Sequence, residues 1–107
     1  MAVFLVETYV IKPDKLGEFT ELYKKFEAYM KKRKDLFKEV KSHRIFSQLM
    51  GGSWGGYVEM TESESFSDFE KWMNKIMRSD YMKTIYPEFA SIEVPGKHTM
   101  NTWNSFP

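Results

Sequence analysis

The sequence contains no cysteine, which excludes disulfide bridges, a thiol nucleophile and thiolate metal sites. It also has almost no net charge, because 16 basic side chains nearly balance 15 acidic ones. A formal charge of +1 gives no overall attraction to nucleic acid or to an anionic membrane. Every apolar run is too short to cross a bilayer and no signal-peptide pattern is present, so we expect a cytoplasmic protein without a membrane partner.

The composition is that of a folded protein. Apolar residues make up 42% and aromatic residues 17% of the 107 positions, which excludes intrinsic disorder. A chain of this length is expected to bury roughly 65% of the surface of its unfolded state. We therefore predict a single domain that covers residues 1–107.

Two segments share one pattern: a strand with a glutamate in its middle, a turn, and an amphipathic helix. The first strand is predicted over residues 2–11 and contains Glu7, and Pro13 starts a helix of roughly 24 residues. In the second segment the strand is predicted over residues 54–61 and contains Glu59, and Ser65 is the expected N-cap of the helix that follows. A further strand follows each unit, over residues 41–50 and within 92–103. The element order is therefore βαββαβ.

The helices are predicted from apolar residues that recur at spacings of three and four. The residues expected to face inward are Leu16, Phe19, Leu22, Tyr23, Phe26, Tyr29 and Met30 in the first helix, Phe66, Phe69, Trp72, Met73, Ile76 and Met77 in the second, and Met82, Ile85, Tyr86 and Phe89 in a short third helix that begins near Asp80. The segment Gly51–Ser53 predicts a hairpin turn, because glycine adopts positive φ without steric cost.

The βαββαβ order predicts an α+β fold, a ferredoxin-like sandwich with an antiparallel sheet in the strand order 4-1-3-2. This order places Glu7 and Glu59 side by side on the two central strands. Two carboxylates that are close together on a water-poor sheet cannot both ionise cheaply, and this is how a glutamate becomes a general acid or base. We predict both as catalytic residues. In the alternative, either one points into a wet groove or pairs with Arg44.

The two histidines, His43 and His98, are predicted on the second and fourth strands. These strands are opposite edges of one sheet, so the two side chains cannot meet within a chain. Across a subunit boundary they could approach each other and bind a metal or titrate near neutrality, or both could be ordinary edge-strand residues. No histidine or carboxylate spacing supports a metal site, and we expect none.

Four aromatic residues are predicted near a cleft between the sheet and the helices: Tyr9, Tyr57, Trp72 and Tyr86. Together with His43 and His98, they are the predicted substrate-binding residues. Aromatic residues at strand and helix spacing are also common in hydrophobic cores, so a purely structural role is the alternative for each.

The chain resembles the dimeric α+β-barrel superfamily, in particular its antibiotic-biosynthesis-monooxygenase-like and NIPSNAP-like members. Residues 7–19 are similar to the strand, Lys-Pro-Gly-Lys turn and helix of that superfamily, and residues 64–69 and 78–81 are similar to later segments. The resemblance implies a homodimer whose two sheets close into a barrel, with a ligand cleft in each subunit. It implies a cofactor-independent oxygenase or isomerase that acts on a planar apolar metabolite. The alternative is a non-catalytic, ligand-binding or stress-related dimer.

Two other functions are less consistent with the sequence. Haem-degrading members of the superfamily use an asparagine, a histidine and a tryptophan, where this chain has Glu7 or Thr8, Tyr86 and Phe69. RNA-recognition motifs share the βαββαβ order, and residues 3–8 and 56–60 loosely resemble their two strand motifs. The second of these motifs lacks its basic and central aromatic residues, so RNA binding is a remote alternative.

Overall fold

The computed structural model describes residues 2–48, 50–52 and 54–106, and in these ranges four strands form one antiparallel sheet. The strands are β1 (Val3–Val10), β2 (Ser42–Ser47), β3 (Gly56–Ser63) and β4 (Thr99–Asn104). They are arranged in the order β2-β3-β1-β4. The predicted ferredoxin-like α+β fold and its strand order are therefore confirmed.

In the same residue ranges, four α-helices connect the strands: α1 (Leu16–Lys32), α2 (Phe66–Met77), α3 (Tyr81–Thr84) and α4 (Tyr86–Ile92). Within the described ranges, none of these helices combines the length and the apolar character that a membrane span requires.

The first helix is shorter than predicted. A 3-10 turn at Pro13–Lys15 precedes α1, which has 17 residues. The helix ends because the backbone of Arg33 leaves the helical region, with φ −110° and ψ 58°, and a run of turns follows. The basic residues in the last turn, Lys31 and Lys32, favour an end at this point because they lie at the negative pole of the helix dipole.

The second helix begins where the sequence predicts. The side chain of Ser65 accepts a hydrogen bond of 3.1 Å from the backbone N–H of Asp68, which is an N-cap. Trp72 and Ile76 are buried, but the prediction that Phe66 and Met77 are buried is wrong. Both lie at the ends of the helix, with 54% and 56% of their surface exposed.

The hydrophobic core lies between the central strands and α1 and α4. Its central cluster is formed by Tyr9, Ile11, Phe19, Leu22 and Ile92. Side chains alternate along a strand, so the odd-numbered residues of β1 share the face that the helices cover. Glu7 lies on this face and interrupts an otherwise buried apolar row, which marks it as a polar residue that requires a partner.

The opposite face of the sheet, here called the open face, also carries apolar side chains. The strand register brings the side chains of Phe4, Val6, Phe46, Met60 and Trp103 to this face. Phe46 and Trp103 are 43% and 53% exposed. An apolar patch of this kind is typical of a surface that another molecule covers.

The loop before β3 packs so closely against the end of β1 that one of its positions requires glycine. Gly55 has φ +79°, and a Cβ atom there would lie 2.8 Å from the carbonyl oxygen of Ile11. We expect Gly55→Ala to lower the free energy of unfolding by about 2 kcal/mol or more, measured by chemical denaturation. The matched control is Gly17→Ala in α1, where a Cβ meets nothing within 4 Å. The control should be neutral or stabilising by up to about 1 kcal/mol, and equal losses in both variants would contradict this account.

The predicted hairpin turn is only partly described. Gly51 and Gly52 have φ values of +76° and +61°, which suit a reversal of the chain. Ser53 and the predicted strand residue Leu49 lie outside the described residues. The strand itself ends at Ser47, three residues before its predicted end.

Candidate functional site

A cavity of about 320 Å³ lies between the helix-covered face of the sheet and the helices. Its wall is mostly apolar and is formed by Leu5, Phe26, Met30, Phe37, Val40, Trp72, Met73, Ile76, Met77, Met82 and Met100. Its polar lining consists of Glu7, His43, Glu59, Thr61, Tyr81, Tyr86 and His98. A recess of about 50 Å³ shares Glu7, Glu59 and His98 with the cavity and extends to Tyr9 and Glu93. We call the cavity and this recess the cleft.

Both glutamates of the repeated pattern face this cleft. Glu7 and Glu59 are directly paired across β1 and β3, as the strand order predicts. Their side chains are 22% and 14% exposed. Although they are neighbours, the two carboxylates are bound by different histidines, and this gives them different chemical roles.

Glu59 accepts hydrogen bonds at both of its oxygens. Oε2 lies 3.0 Å from Nε2 of His43, and the hydroxyl of Tyr9 donates to Oε1. The hydroxyl of Tyr23 lies 3.2 Å from Nδ1 of His43. Burial, together with the charge of Glu59, raises the pKa of both phenols, so they remain protonated and act as donors. Because the Glu59 carboxylate can only accept, Nε2 of His43 carries the proton between them, and Nδ1 of the neutral ring accepts from the hydroxyl of Tyr23.

Glu7 belongs to a second network, which is centred on His98. Nε2 of His98 lies 3.1 Å from Oε1 of Glu7, and Nδ1 lies 2.7 Å from Oε1 of Glu93. The hydrogen bond to Glu7, opposed by burial and supported by Glu93, raises the pKa of His98 to about 9. At neutral pH the ring is an imidazolium that donates a hydrogen bond to each carboxylate. It also stacks on Tyr9, with ring centroids 5.5 Å apart.

The two glutamates differ in what they can still bind. The second oxygen of Glu7, Oε2, accepts no hydrogen bond from any residue in the described ranges. Both oxygens of Glu59 are already occupied by Tyr9 and His43. Glu7 therefore has an unused acceptor beside the cavity, whereas Glu59 is held as part of a hydrogen-bonded chain.

Trp72 lines the cavity from α2 and is 7% exposed. Its Nε1 is buried and has no hydrogen-bond partner within the described residues. This nitrogen exposes almost no surface, so Trp72 contributes an apolar face to the cavity wall.

The other predicted binding residues have different positions. Trp72, Tyr86, His43 and His98 line the cavity, and Tyr9 lines only the recess. Tyr57 lines neither; its ring packs in the core, 4.4 Å from that of Phe19 and 5.9 Å from that of Tyr9. The prediction that Tyr86 faces inward is only partly met: its side chain lines the cavity but is 45% exposed.

Two positional expectations are corrected by the structure. Arg44 does not pair with either glutamate, because it lies on the open face with its guanidinium 5.4 Å from the ring of Phe46. His98 precedes β4 and is not part of it, because the Pro95-Gly96 turn delays the strand until Thr99. Neither histidine requires a partner subunit for its contacts, since each binds a glutamate of its own chain.

Sequence reasoning missed Glu93 and Tyr23 as parts of the site. Glu93 meets His98 because the Pro95-Gly96 turn, with φ +77° at Gly96, folds the chain back on itself. A glutamate five residues before a histidine, with a Pro-Gly pair between them, is a signal that could have predicted this contact. In the described ranges, no group of three or more histidine or acidic side chains is arranged to hold a metal ion.

Comparisons with known proteins identify the fold. No protein-family model matches the chain, and no curated protein is similar to it in sequence. A NIPSNAP family protein from Agrobacterium tumefaciens is similar in structure, with a TM-score of 0.75, 11% identity, and coverage of 99% of this chain and 94% of that one. An antibiotic biosynthesis monooxygenase has a TM-score of 0.71 and 12% identity, with coverage of 98% and 99%.

A third similar structure is a mutant of SnoaB, a cofactor-independent oxygenase from Streptomyces nogalater. It has a TM-score of 0.69 and 9% identity, with coverage of 97% of this chain and 92% of that one. At these identities the similarity establishes the fold alone. The chain has the fold of the antibiotic-biosynthesis-monooxygenase-like and NIPSNAP-like proteins, which its sequence resembles.

Proposed function

We propose that this protein is a cofactor-independent enzyme that removes a proton from a planar, mostly apolar metabolite bound in the cleft. The observation that carries this proposal is the pairing of Glu7 with His98. One oxygen of Glu7 is held by the protonated ring, while Oε2 accepts no hydrogen bond from the described residues and is available to a ligand. An oriented carboxylate with an unused oxygen beside an apolar cavity is suited to act as a general base.

Proton removal is the step that such a site can accelerate. Loss of a C–H proton next to a carbonyl, or of a phenolic O–H proton, leaves an electron-rich anion spread over the ring system. His98 remains next to the base and stabilises the negative charge as it moves from Glu7 to the substrate. Return of the proton to another carbon of the substrate would make the reaction an isomerisation.

Oxygenation follows the same first step when O₂ is the second reactant. The carbanion gives electrons to O₂, a C–O bond forms, and protonation yields a hydroperoxide. Loss of water from the hydroperoxide leaves a new carbonyl group, so the substrate is oxidised and O₂ is reduced. The similarity to a cofactor-independent oxygenase supports this class of reaction.

Anthrone is a suitable probe because it is planar, apolar and has an acidic C–H group beside its aromatic rings. We expect the protein to accelerate O₂ uptake by anthrone and the formation of anthraquinone and water in equal amounts. The measurement is O₂ consumption together with absorbance, compared with buffer and with heat-unfolded protein. Rates equal to these backgrounds for anthrone and for related polycyclic ketones would contradict the oxygenase proposal.

A second candidate function is ligand binding without catalysis. It is favoured by the Glu59 network, in which both carboxylate oxygens are bound by Tyr9 and His43 and are closed to a substrate. If the cleft only binds a ligand, anthrone should bind with 1:1 stoichiometry in calorimetry while O₂ uptake stays at background.

We also infer that the protein is a homodimer in which two open faces pack together. The support is the exposed apolar area around Phe46 and Trp103, which a second copy would hide.

Phe46→Glu is expected to shift the molar mass measured by light scattering from two chains to one. The matched control is Phe66→Glu on the surface of α2, which should leave the dimer intact. A monomeric unmodified protein, or one that binds single-stranded RNA through this face in a salt-dependent way, would contradict the dimer.

A further inference from the structure

We infer that the cleft selects ligands without negative charge: an apolar ring system that carries a neutral or cationic O–H or N–H donor. Carboxylates and phosphate esters should be rejected even when their ring systems fit. This inference rests on the proposed function, because it concerns the same cleft, but it makes a separate statement about ligand chemistry.

The charged groups of the cleft are mostly acidic. Three carboxylates line the cleft, those of Glu7, Glu59 and Glu93. Among the described residues that line the cavity and the recess there is no lysine or arginine; the imidazolium of His98 is held between Glu7 and Glu93, and His43 is bound to Glu59. An anionic ligand would lose its hydration without gaining a cation that is free to pair with it.

The glutamates also act on the tyrosines of the cleft. Burial raises the pKa of Tyr9 and Tyr81, and the charges of Glu59 and Glu7 raise it further in both. Each of these phenols resists becoming an anion in part because the surrounding field is negative. A phenolate or carboxylate on a ligand in the same space would be subject to the same repulsion.

The hydrogen-bonding groups of the cleft also favour a ligand that carries a donor. On the sheet side, Oε2 of Glu7 is an acceptor without a partner among the described residues, and on the helix side Tyr81 and Tyr86 line the cavity with their hydroxyl-bearing side chains. A ligand that presents a donor to Glu7 and a carbonyl to one of these hydroxyls complements both sides. Hydroxyl donors alone cannot offset the desolvation of an anion, so these tyrosines do not reverse the preference.

The test uses three ligands with one ring system and different charges. 2-Naphthol is neutral at pH 7, 2-naphthylmethylamine is cationic, and 2-naphthoate is anionic. We expect calorimetry to show that naphthoate binds at least about tenfold more weakly than naphthol, because like charges repel inside a partly dry cavity. The amine should bind as tightly as naphthol or more tightly.

Two variants connect the preference to the cleft. Glu7→Gln removes one negative charge from the cleft. It should reduce the ratio of the affinities for naphthol and naphthoate several-fold. The matched control is Glu88→Gln on α4, which lies outside the cavity and the recess and should leave the difference unchanged.

Three results would overturn the inference: naphthoate binding as tightly as naphthol, a difference in affinity that Glu7→Gln does not change, or no binding of any of the three ligands. The selectivity can also be separated from catalysis. If the three ligands follow the expected order while anthrone is not oxidised, the charge preference is supported and only the proposed enzymatic function fails.

Discussion

Replacing Glu7 with glutamine is expected to lower kcat for anthrone oxidation by about 10²–10⁴-fold, which is the usual contribution of a positioned general base. Glutamine has the same size and can still accept the hydrogen bond that Nε2 of His98 donates to Glu7. It cannot take a proton from the substrate, so the loss should fall mainly on kcat, with a smaller change in KM. The measurement is the initial rate of O₂ uptake over a range of anthrone concentrations.

The matched control for this variant is Glu59→Gln on the neighbouring strand. Both oxygens of Glu59 already accept hydrogen bonds from Tyr9 and His43, so its role is to hold this chain of side chains in place. We expect a loss of about tenfold or less, carried through the positions of its neighbours. A larger loss for Glu59→Gln than for Glu7→Gln would reverse the assignment of the base. Unchanged rates in both would remove the glutamates from the mechanism.

The sequence predicts the architecture because the signals for it are local. Alternation in the strands and a helical stripe after each turn give the βαββαβ order, and this order places Glu7 opposite Glu59. The end of α1 was predicted several residues too late because apolar spacing carries no information about where the backbone leaves the helix. That end depends on the conformation of Arg33, inside a charged run that continues past the helix.

The networks of the site could not be derived in the same way, because each depends on a contact between distant segments. His43 faces Glu59 only in the observed register of β2 and β3, and a slip of one residue would turn it to the open face. His98 reaches Glu7 only because the loop before β4 folds back through a Pro-Gly turn. The cavity depends on the space left between side chains of several helices, and flexible methionines supply much of its wall.

The imidazolium of His98 is expected to titrate near pH 9 in the folded protein, well above the ordinary histidine value of about 6.5. The carboxylates of Glu7 and Glu93 bind its two nitrogens and stabilise the charged form against the cost of burial. NMR of the imidazole carbon-bound protons measures this titration directly. Glu93→Gln removes one carboxylate and should lower the pKa of His98, whereas the remote variant Glu88→Gln should leave it unchanged.

The same titration determines how stability depends on pH. Because the pKa is raised on folding, the contribution of His98 is complete below about pH 6.5, declines above it, and is lost as the pH rises through about 9. We expect it to be about 1–2 kcal/mol, since the side chain is 32% exposed and solvent screens the pairs. The free energy of unfolding should therefore fall over this window in the unmodified protein and change less in His98→Gln. Two results would show that the ring is not held as a cation: a free energy of unfolding that rises between pH 6.5 and 9, or a titration of His98 at or below pH 6.5. In either case His98 could not stabilise negative charge beside Glu7.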